Sequence, residues 1–235
     1  GSKIEIYSDA PWNNGVSTSS FVDFVDCKLL SPVVPGKVVC VAINYPGATG
    51  ISKEIDEPLV FIKSTNTIIG NHDNIISPFK NYKVWGEPEL GIVISKRLKN
   101  AKIEDVKNSI FGYTIANDVT VENIGGRDHH LARSKSVDTF CVVGPHIDTE
   151  FIPSNKKIIG LHNDVLLRSG LLSDRISKEP DLLVSISKWM TLEPGDLIIT
   201  GSPTRIRERE YLKDGDSFEC NIEGLGTIKN KFKNI

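Results

Sequence analysis

The chain has 235 residues, of which 25% are charged and 39% hydrophobic, with a formal net charge of −2. That is ordinary for a soluble globular protein and sufficient for one large domain, or one domain with a small appendage. It gives no electrostatic case for nucleic acid, and no basic run or long apolar run points to a membrane.

No signal peptide is expected, and Gly1-Ser2 reads as a remnant of cloning. Cys27, Cys40, Cys141 and Cys220 are widely spaced with no Cys-x-x-Cys. A zinc ribbon or redox motif is therefore not expected; reduced, mostly buried thiols in a cytoplasmic protein are.

In chain order, Lys3 to Tyr7 alternates and predicts a strand, Pro11 to Ser20 predicts a loop, and Phe21 to Leu30 alternates again. Pro32 and Pro35 mark a boundary, dividing a small N-terminal segment at 1–35 from a main domain at 36–235. Lys37 to Ile43 is a β-branched run that predicts a buried strand ending in a turn at Asn44-Tyr45-Pro46-Gly47. Pro46 to Asp56 has no clear period and reads as a mobile loop of the kind that covers a site. Pro58 to Lys63 is another apolar run, and Gly70-Asn71 and Asn74 fit hairpin turns.

Further along, Ile103, Val106, Lys107 and Ile110 fall at helical spacing, with Gly112 closing the helix. Tyr113 to Ala116 predicts a strand that delivers Asn117-Asp118 at its end. Phe140 to Val143 predicts a strand ended by Gly144-Pro145, and Leu161 to Leu167 a strand of a hairpin. Leu182, Leu183, Ile186, Trp189 and Met190 form an apolar stripe on a helix opened by Pro180-Asp181. Leu197 to Thr200, Ser217 to Ile222 and Thr227 to Phe232 predict strands separated by Gly-containing turns. Many short strands with two modest helices indicate a β-rich α+β fold.

The chemistry centres on Trp85-Gly86-Glu87-Pro88-Glu89-Leu90. In an extended chain Glu87 and Glu89 aim two carboxylates at one spot. Two like charges so close require a proton or a cation between them, and a hard divalent cation with oxygen ligands satisfies both. By itself the spacing also suits a solvated strand face. Asp118 at a strand end and Lys135 add to it. His129 and His130 read as an exposed pair in preference to a catalytic base, and Arg205, Arg207 and Arg209, alternating with Ile206, Glu208 and Glu210, as a solvated charge-paired loop in preference to a substrate-carboxylate clamp.

Six stretches then carry a resemblance that runs from Gly36 to the C-terminus: Gly36 to Tyr45, Glu57 to Lys63, Glu87-Pro88-Glu89-Leu90, Gly112 to Thr120, Lys135 to Phe140, and Leu192 to Gly201, with Ile222-Glu223-Gly224-Leu225-Gly226 after them. In that order they resemble the fumarylacetoacetate hydrolase superfamily. The resemblance implies a mixed β-roll around the active site, a homodimer, and Mg²⁺, Mn²⁺ or Ca²⁺ held by Glu87, Glu89 and Asp118. It implies a 2-oxo or β-dicarbonyl acid as substrate, reacting through an enolate. Lys135 falls on the family's enolate-stabilising lysine. Ser202, with Gly201 and Tyr45, is expected to bind substrate.

The chain also departs from the family pattern. The His and Glu that activate water in family hydrolases align with Ala48 and Ile51, and neither Glu54 nor Glu57 has the spacing to replace them. Val121-Glu122-Asn123 stands for Ala-Arg-Asp, and Arg205-Ile206-Arg207 for Gly-Val-Gly. The resulting expectation is an isomerase or decarboxylase acting on a small 2-oxo or enol dicarboxylic acid. A C–C hydrolase of acylpyruvates and a catalytically silent metal-binding protein are the alternatives.

Overall fold

The computed structural model describes residues 2–47 and 57–235. Two sheets make the body. The larger has seven strands in the order Leu59–Lys63, Val38–Ala42, Leu197–Ile199, Pro88–Ile94, Ile110–Asp118, Cys141–Asp148 and Ile68–Ile69. The smaller has five, in the order Val165–Leu171, Lys157–His162, Ser217–Ile222, Gly226–Asn234 and Asn74–Ser77. Both sheets mix parallel and antiparallel pairs. The fold is the β-rich, mixed-sheet roll expected from the sequence.

The Pro88–Ile94 strand is buried along its whole length, between Leu197–Ile199 and Ile110–Asp118, both antiparallel to it. Its apolar run Leu90-Gly91-Ile92-Val93-Ile94 is what a strand covered on both faces requires. On one face Leu90, Ile92 and Ile94 join Phe218, Cys220 and Ile222 of the smaller sheet in the principal core. On the other, Val93 joins Val38, Cys40, Ala116, Cys141 and Val143. The strand is thus held rigidly in the middle of the molecule, and its first residues emerge where the two sheets open.

The N-terminal residues form a separate two-stranded sheet, Lys3–Tyr7 with Ser17–Asp23. The second strand begins inside the stretch predicted as loop, where Ser17 pairs with Tyr7 and Ser20 with Ile6 across a bulge. It ends at Asp23, where a 3-10 turn over Phe24–Asp26 takes the chain away. Trp12 ties the hairpin to the body, stacking edge-on against Phe111 at 5.0 Å.

Several local expectations are corrected. Ile68–Ile69 and Asn74–Ser77 do not form a hairpin; they belong to different sheets, each in a parallel pair. The polar turn groups serve the crossover instead: Asn71 Oδ1 accepts the Lys229 amide at 2.8 Å, and Asn230 Nδ2 donates to Gly70 O at 2.9 Å. The first helix stops at Lys107, and Gly112 lies inside the next strand, where a Cβ would sit 2.6 Å from Asp148 O. Its glycine answers to a close backbone approach rather than to a helix end.

The Cys141–Asp148 strand continues past Gly144-Pro145 with a register shift, and Leu161 to Leu167 spans the Asn163-Asp164 turn of a hairpin. The later helix covers Asp181–Ser187 without a side-chain cap. The expected loop at 48–56, with the aligned positions Ala48 and Ile51 and with Glu54, lies outside the described residues.

Candidate metal centre and active site

Glu87 immediately precedes the Pro88–Ile94 strand, and Glu89 is its second residue. Asp118 ends the neighbouring strand, with its amide donating to Glu87 O at 2.9 Å. Asn117 locks this corner, its Oδ1 accepting the Glu87 amide at 2.9 Å. The three carboxylates each offer an oxygen within 4.8 Å of the others. Glu89 and Asp118 are buried, at 3% and 1% exposure. They line a cavity of about 350 Å³ together with Lys135, Arg168, Gly201 and Ser202.

Cations hold two of the three carboxylates. Lys135 Nζ donates to Glu87 Oε2 at 3.1 Å and to Asp118 Oδ2. Lys63, fully buried, donates to Asp118 Oδ1 at 2.6 Å and to Val119 O at 3.0 Å. Arg168 bridges Glu87 Oε1 and Pro203 O, both at 2.7 Å. Neither Lys63 nor Arg168 is an expected site residue. Each has a faint signal, a full charge in an otherwise apolar strand, at Leu59-Val60-Phe61-Ile62-Lys63 and Val165-Leu166-Leu167-Arg168. Such a charge needs a buried partner.

Electrostatics divide the triad. Burial alone would raise the Glu87 pKa, but the Lys135 and Arg168 charges bring it down to about 2. Among the described residues Glu89 has no cation of its own. Burial, and then the Asp118 charge, push its carboxyl well above the usual range, and the Gly201 amide bonds to it directly, 2.7 Å from Oε2. Lys135 goes the other way: burial favours its neutral form, yet Asp118 and Glu87 outweigh that and keep it firmly protonated. A permanently charged lysine is suited to stabilising negative charge and unsuited to acting as a base.

Local structure places each group. Lys135 ends a one-turn helix, Ala132–Lys135, whose start is fixed by Asp128 accepting the Ser134 amide and hydroxyl, both at 2.6 Å. Gly201 has φ +88°, and a Cβ there would lie 2.8 Å from Asn44 Cβ, so the turn that brings its amide to Glu89 depends on glycine. Asn44 secures that turn by donating to Thr200 O at 2.8 Å.

Of the other expected residues, Ser202 lines the cavity with a buried Oγ that lacks a partner among the described residues. Tyr45 is buried behind the wall, its hydroxyl also unpartnered, and is not among the lining residues. His129 and His130 are exposed and outside the cavity. Glu122 accepts the Lys83 amide at 2.9 Å, away from the cavity. Arg205, Arg207 and Arg209, expected in a solvated loop, instead line the cavity.

The donor set fits a hard divalent cation. Three carboxylate oxygens converge, and Glu89 is left with a carboxyl that burial discourages from ionising unless positive charge is supplied.

The sequence model of the fumarylacetoacetate hydrolase C-terminal domain matches residues 37–233, and the chain belongs to that family. It is 36% identical over 217 residues to a mitochondrial oxaloacetate tautomerase of Bos taurus, covering 86% of this chain and 68% of that protein. The crystal structure of 2-hydroxyhepta-2,4-diene-1,7-dioate isomerase from Mycobacterium marinum superposes with a TM-score of 0.88 at 33% identity, over 99% of this chain and 88% of that one. Maleylpyruvate hydrolase from Sphingobium, crystallised with manganese and pyruvate, superposes with a TM-score of 0.76 at 27% identity, covering 92% and 77%.

Proposed function

We propose that the protein is a divalent-metal-dependent enzyme that moves a proton on a small 2-oxo or enol dicarboxylic acid, by tautomerisation, isomerisation or decarboxylation. The observation that carries this reading is the buried Glu87–Glu89–Asp118 triad with a charged Lys135 beside it. The names of the tautomerase and isomerase relatives support the same chemistry.

Glu87, Glu89 and Asp118 would hold Mg²⁺, Mn²⁺ or Ca²⁺, and the cation would act as a Lewis acid on a chelating 2-oxo acid. Lys135 would carry the charge complementary to the developing enolate oxygen. In a buried site such a fixed charge acts without solvent reorganisation. The unpartnered Ser202 hydroxyl and the backbone around Gly201 would hold the substrate carboxylate. Tyr45 would act from behind that wall, as a support to the turn rather than as a contact. The four free cysteines support a reducing compartment such as the cytoplasm. We also propose a homodimer, with the exposed apolar residues of the N-terminal hairpin as its nucleus.

The test is proton NMR in deuterated water with oxaloacetate, acetylpyruvate, fumarylpyruvate and 2-hydroxyhepta-2,4-diene-1,7-dioate, each with Mn²⁺ and with excess chelator. The expected result is metal-dependent deuterium uptake or double-bond migration. Cleavage to pyruvate and an acid would favour C–C hydrolysis instead. The absence of any metal-dependent change across the panel would favour a silent metal-binding protein.

A further inference from the structure

The loop that follows Ser202 is built into the cavity mouth rather than draped over the surface. Its first part is pinned to the Val165–Leu171 strand, where Ile206 N donates to Leu167 O at 2.9 Å and Arg205 bridges Arg168 through the backbone. Its far end is pinned beside Trp85, where Leu212 N donates to Val84 O at 2.8 Å. Between these points alternate residues share a side. Arg205, Arg207 and Arg209 line the cavity, whereas Ile206, Glu208 and Glu210 do not. Arg209 lies flat over Trp85, 4.1 Å from the ring centroid, with its Nε buried and unpartnered. Among the described residues no carboxylate lies within ion-pairing distance of any of the three arginines.

The charges lining the cavity do not balance. Among the described residues, five cationic side chains, Lys135, Arg168, Arg205, Arg207 and Arg209, face three carboxylates, and Lys63 reaches Asp118 from behind. Lys135, Arg168 and Lys63 are already engaged with the triad. A divalent cation on the triad makes the surplus larger. Arg205 and Arg209 are half-buried and Arg207 is exposed at the cavity mouth, so among the described residues the 205–209 arginines gather positive charge with no carboxylate partner, and a negatively charged ligand group would match it. Guanidinium groups are suited to oxyanions, which they bind through paired N–H donors.

We infer that Arg205, Arg207 and Arg209 form an anion subsite that recognises a second, distal oxyanion, a carboxylate or a phosphate, on a substrate whose 2-oxo acid end sits at the carboxylate triad. This rests on the proposed 2-oxo acid reading and adds what that reading lacks, the residues that select against monoanionic substrates.

The experiment is calorimetric binding to the Mn²⁺-loaded protein of two unreactive oxamates that differ only at the far end. N-oxalylglycine carries a distal carboxylate and N-methyloxamate carries none. The wild-type protein is expected to prefer N-oxalylglycine by about tenfold or more, the effect of a charge-assisted hydrogen bond. The Arg205→Gln/Arg207→Gln double variant is expected to lose that preference while binding N-methyloxamate and Mn²⁺ as before. Arg97→Gln, which removes one positive charge at a side chain 67% exposed and outside the cavity, is expected to keep it.

A third ligand, the oxalyl amide of aminomethylphosphonate, separates the two sources. Tighter binding than N-oxalylglycine assigns the subsite to a phosphate, and weaker binding assigns it to a carboxylate. Equal affinity of wild type for the two oxamates, or a preference that survives the double variant, overturns the subsite while leaving the triad reading intact. If neither oxamate binds the Mn²⁺-loaded protein, the triad reading falls and the subsite with it.

Discussion

Lys63 Nζ lies 2.6 Å from Asp118 Oδ1, and the two side chains are 0% and 1% exposed. Lys63 comes from the first strand of the larger sheet and Asp118 from the fifth. The pair therefore fastens one triad carboxylate to the far side of the roll, from behind, while Lys135 holds its other oxygen from the cavity side. A metal ion reaching Asp118 meets an oxygen set whose orientation is already fixed.

Replacing Lys63 with Met should leave Asp118 buried with one partner fewer. Loss of one member of a buried ion pair costs about 3–5 kcal/mol. Urea denaturation of the metal-free protein is expected to show a loss of that order. An unchanged midpoint would mean that water or a rearranged side chain takes the place of the ammonium.

Lys135 should separate chemistry from metal binding. Lys135→Met removes a cation that competes for Glu87 and Asp118, so Mn²⁺ affinity is expected to stay the same or increase. Turnover on the substrate identified by NMR is expected to fall about 100-fold or more, as for loss of a group that stabilises an oxyanion. Parallel loss of metal affinity would instead make Lys135 a structural member of the site.

Asp128 is expected to act on Lys135 through the one-turn helix. Burial would raise its pKa, but the bonds from the Ser134 hydroxyl and amide hold it below the usual range. With the folded value depressed, its contribution is present above the ordinary carboxyl pKa and lost as pH falls through the folded one. Asp128→Ala should cost about 1 kcal/mol near neutral pH, as for a lost helix cap, and the gap from wild type should close under acid conditions. A gap that stays constant with pH would place the effect elsewhere.

The amount of this site legible in the sequence follows from distance along the chain. Glu87 and Glu89 were readable because two residues of extended chain fix their relation. Asp118 was readable because a strand end is recognisable locally, and the family motifs joined them to Lys135. Lys63 and Arg168 reach the triad only through sheet order, which sets the Leu59–Lys63 strand far from Ile110–Asp118 and brings Val165–Leu171 in from the other sheet. The same cause explains the 68–78 stretch, where turn residues were clear but their strands' partners lie some 70 to 160 residues away. The 205–210 loop is solvated, with Ile206, Arg207, Glu208 and Glu210 exposed, but alternating Arg and Glu does not disclose that its arginines also line a cavity, which depends on where its two ends are pinned.

The N-terminal hairpin makes the proposed dimer testable. Phe21, Phe24 and Val25, at the end of the hairpin and in the turn after it, are 56%, 46% and 85% exposed and form an apolar group on the surface. Sedimentation velocity is expected to give twice the 25.9 kDa of the chain, and Phe21→Asp/Phe24→Asp to shift it toward the monomer. A monomeric wild-type protein at micromolar concentration would overturn the proposal.

Glu89 gives the sharpest prediction, because the sign of its pKa shift connects stability with metal binding. The folded value is raised well above the model-peptide value of 4.5 by burial and by the Asp118 charge. Between 4.5 and the raised value the unfolded chain is ionised and the metal-free fold is still protonated, so stability falls as pH rises through that window. A divalent cation reverses the preference by favouring the ionised form, and its binding must then expel a proton.

Calorimetry of Mn²⁺ binding within that pH window, in two buffers of different ionisation enthalpy, is expected to report net proton release. In Glu89→Gln the release should disappear, and metal affinity should fall with it. Proton release that persists in Glu89→Gln would mean that another group, not Glu89, carries the proton of the metal-free site.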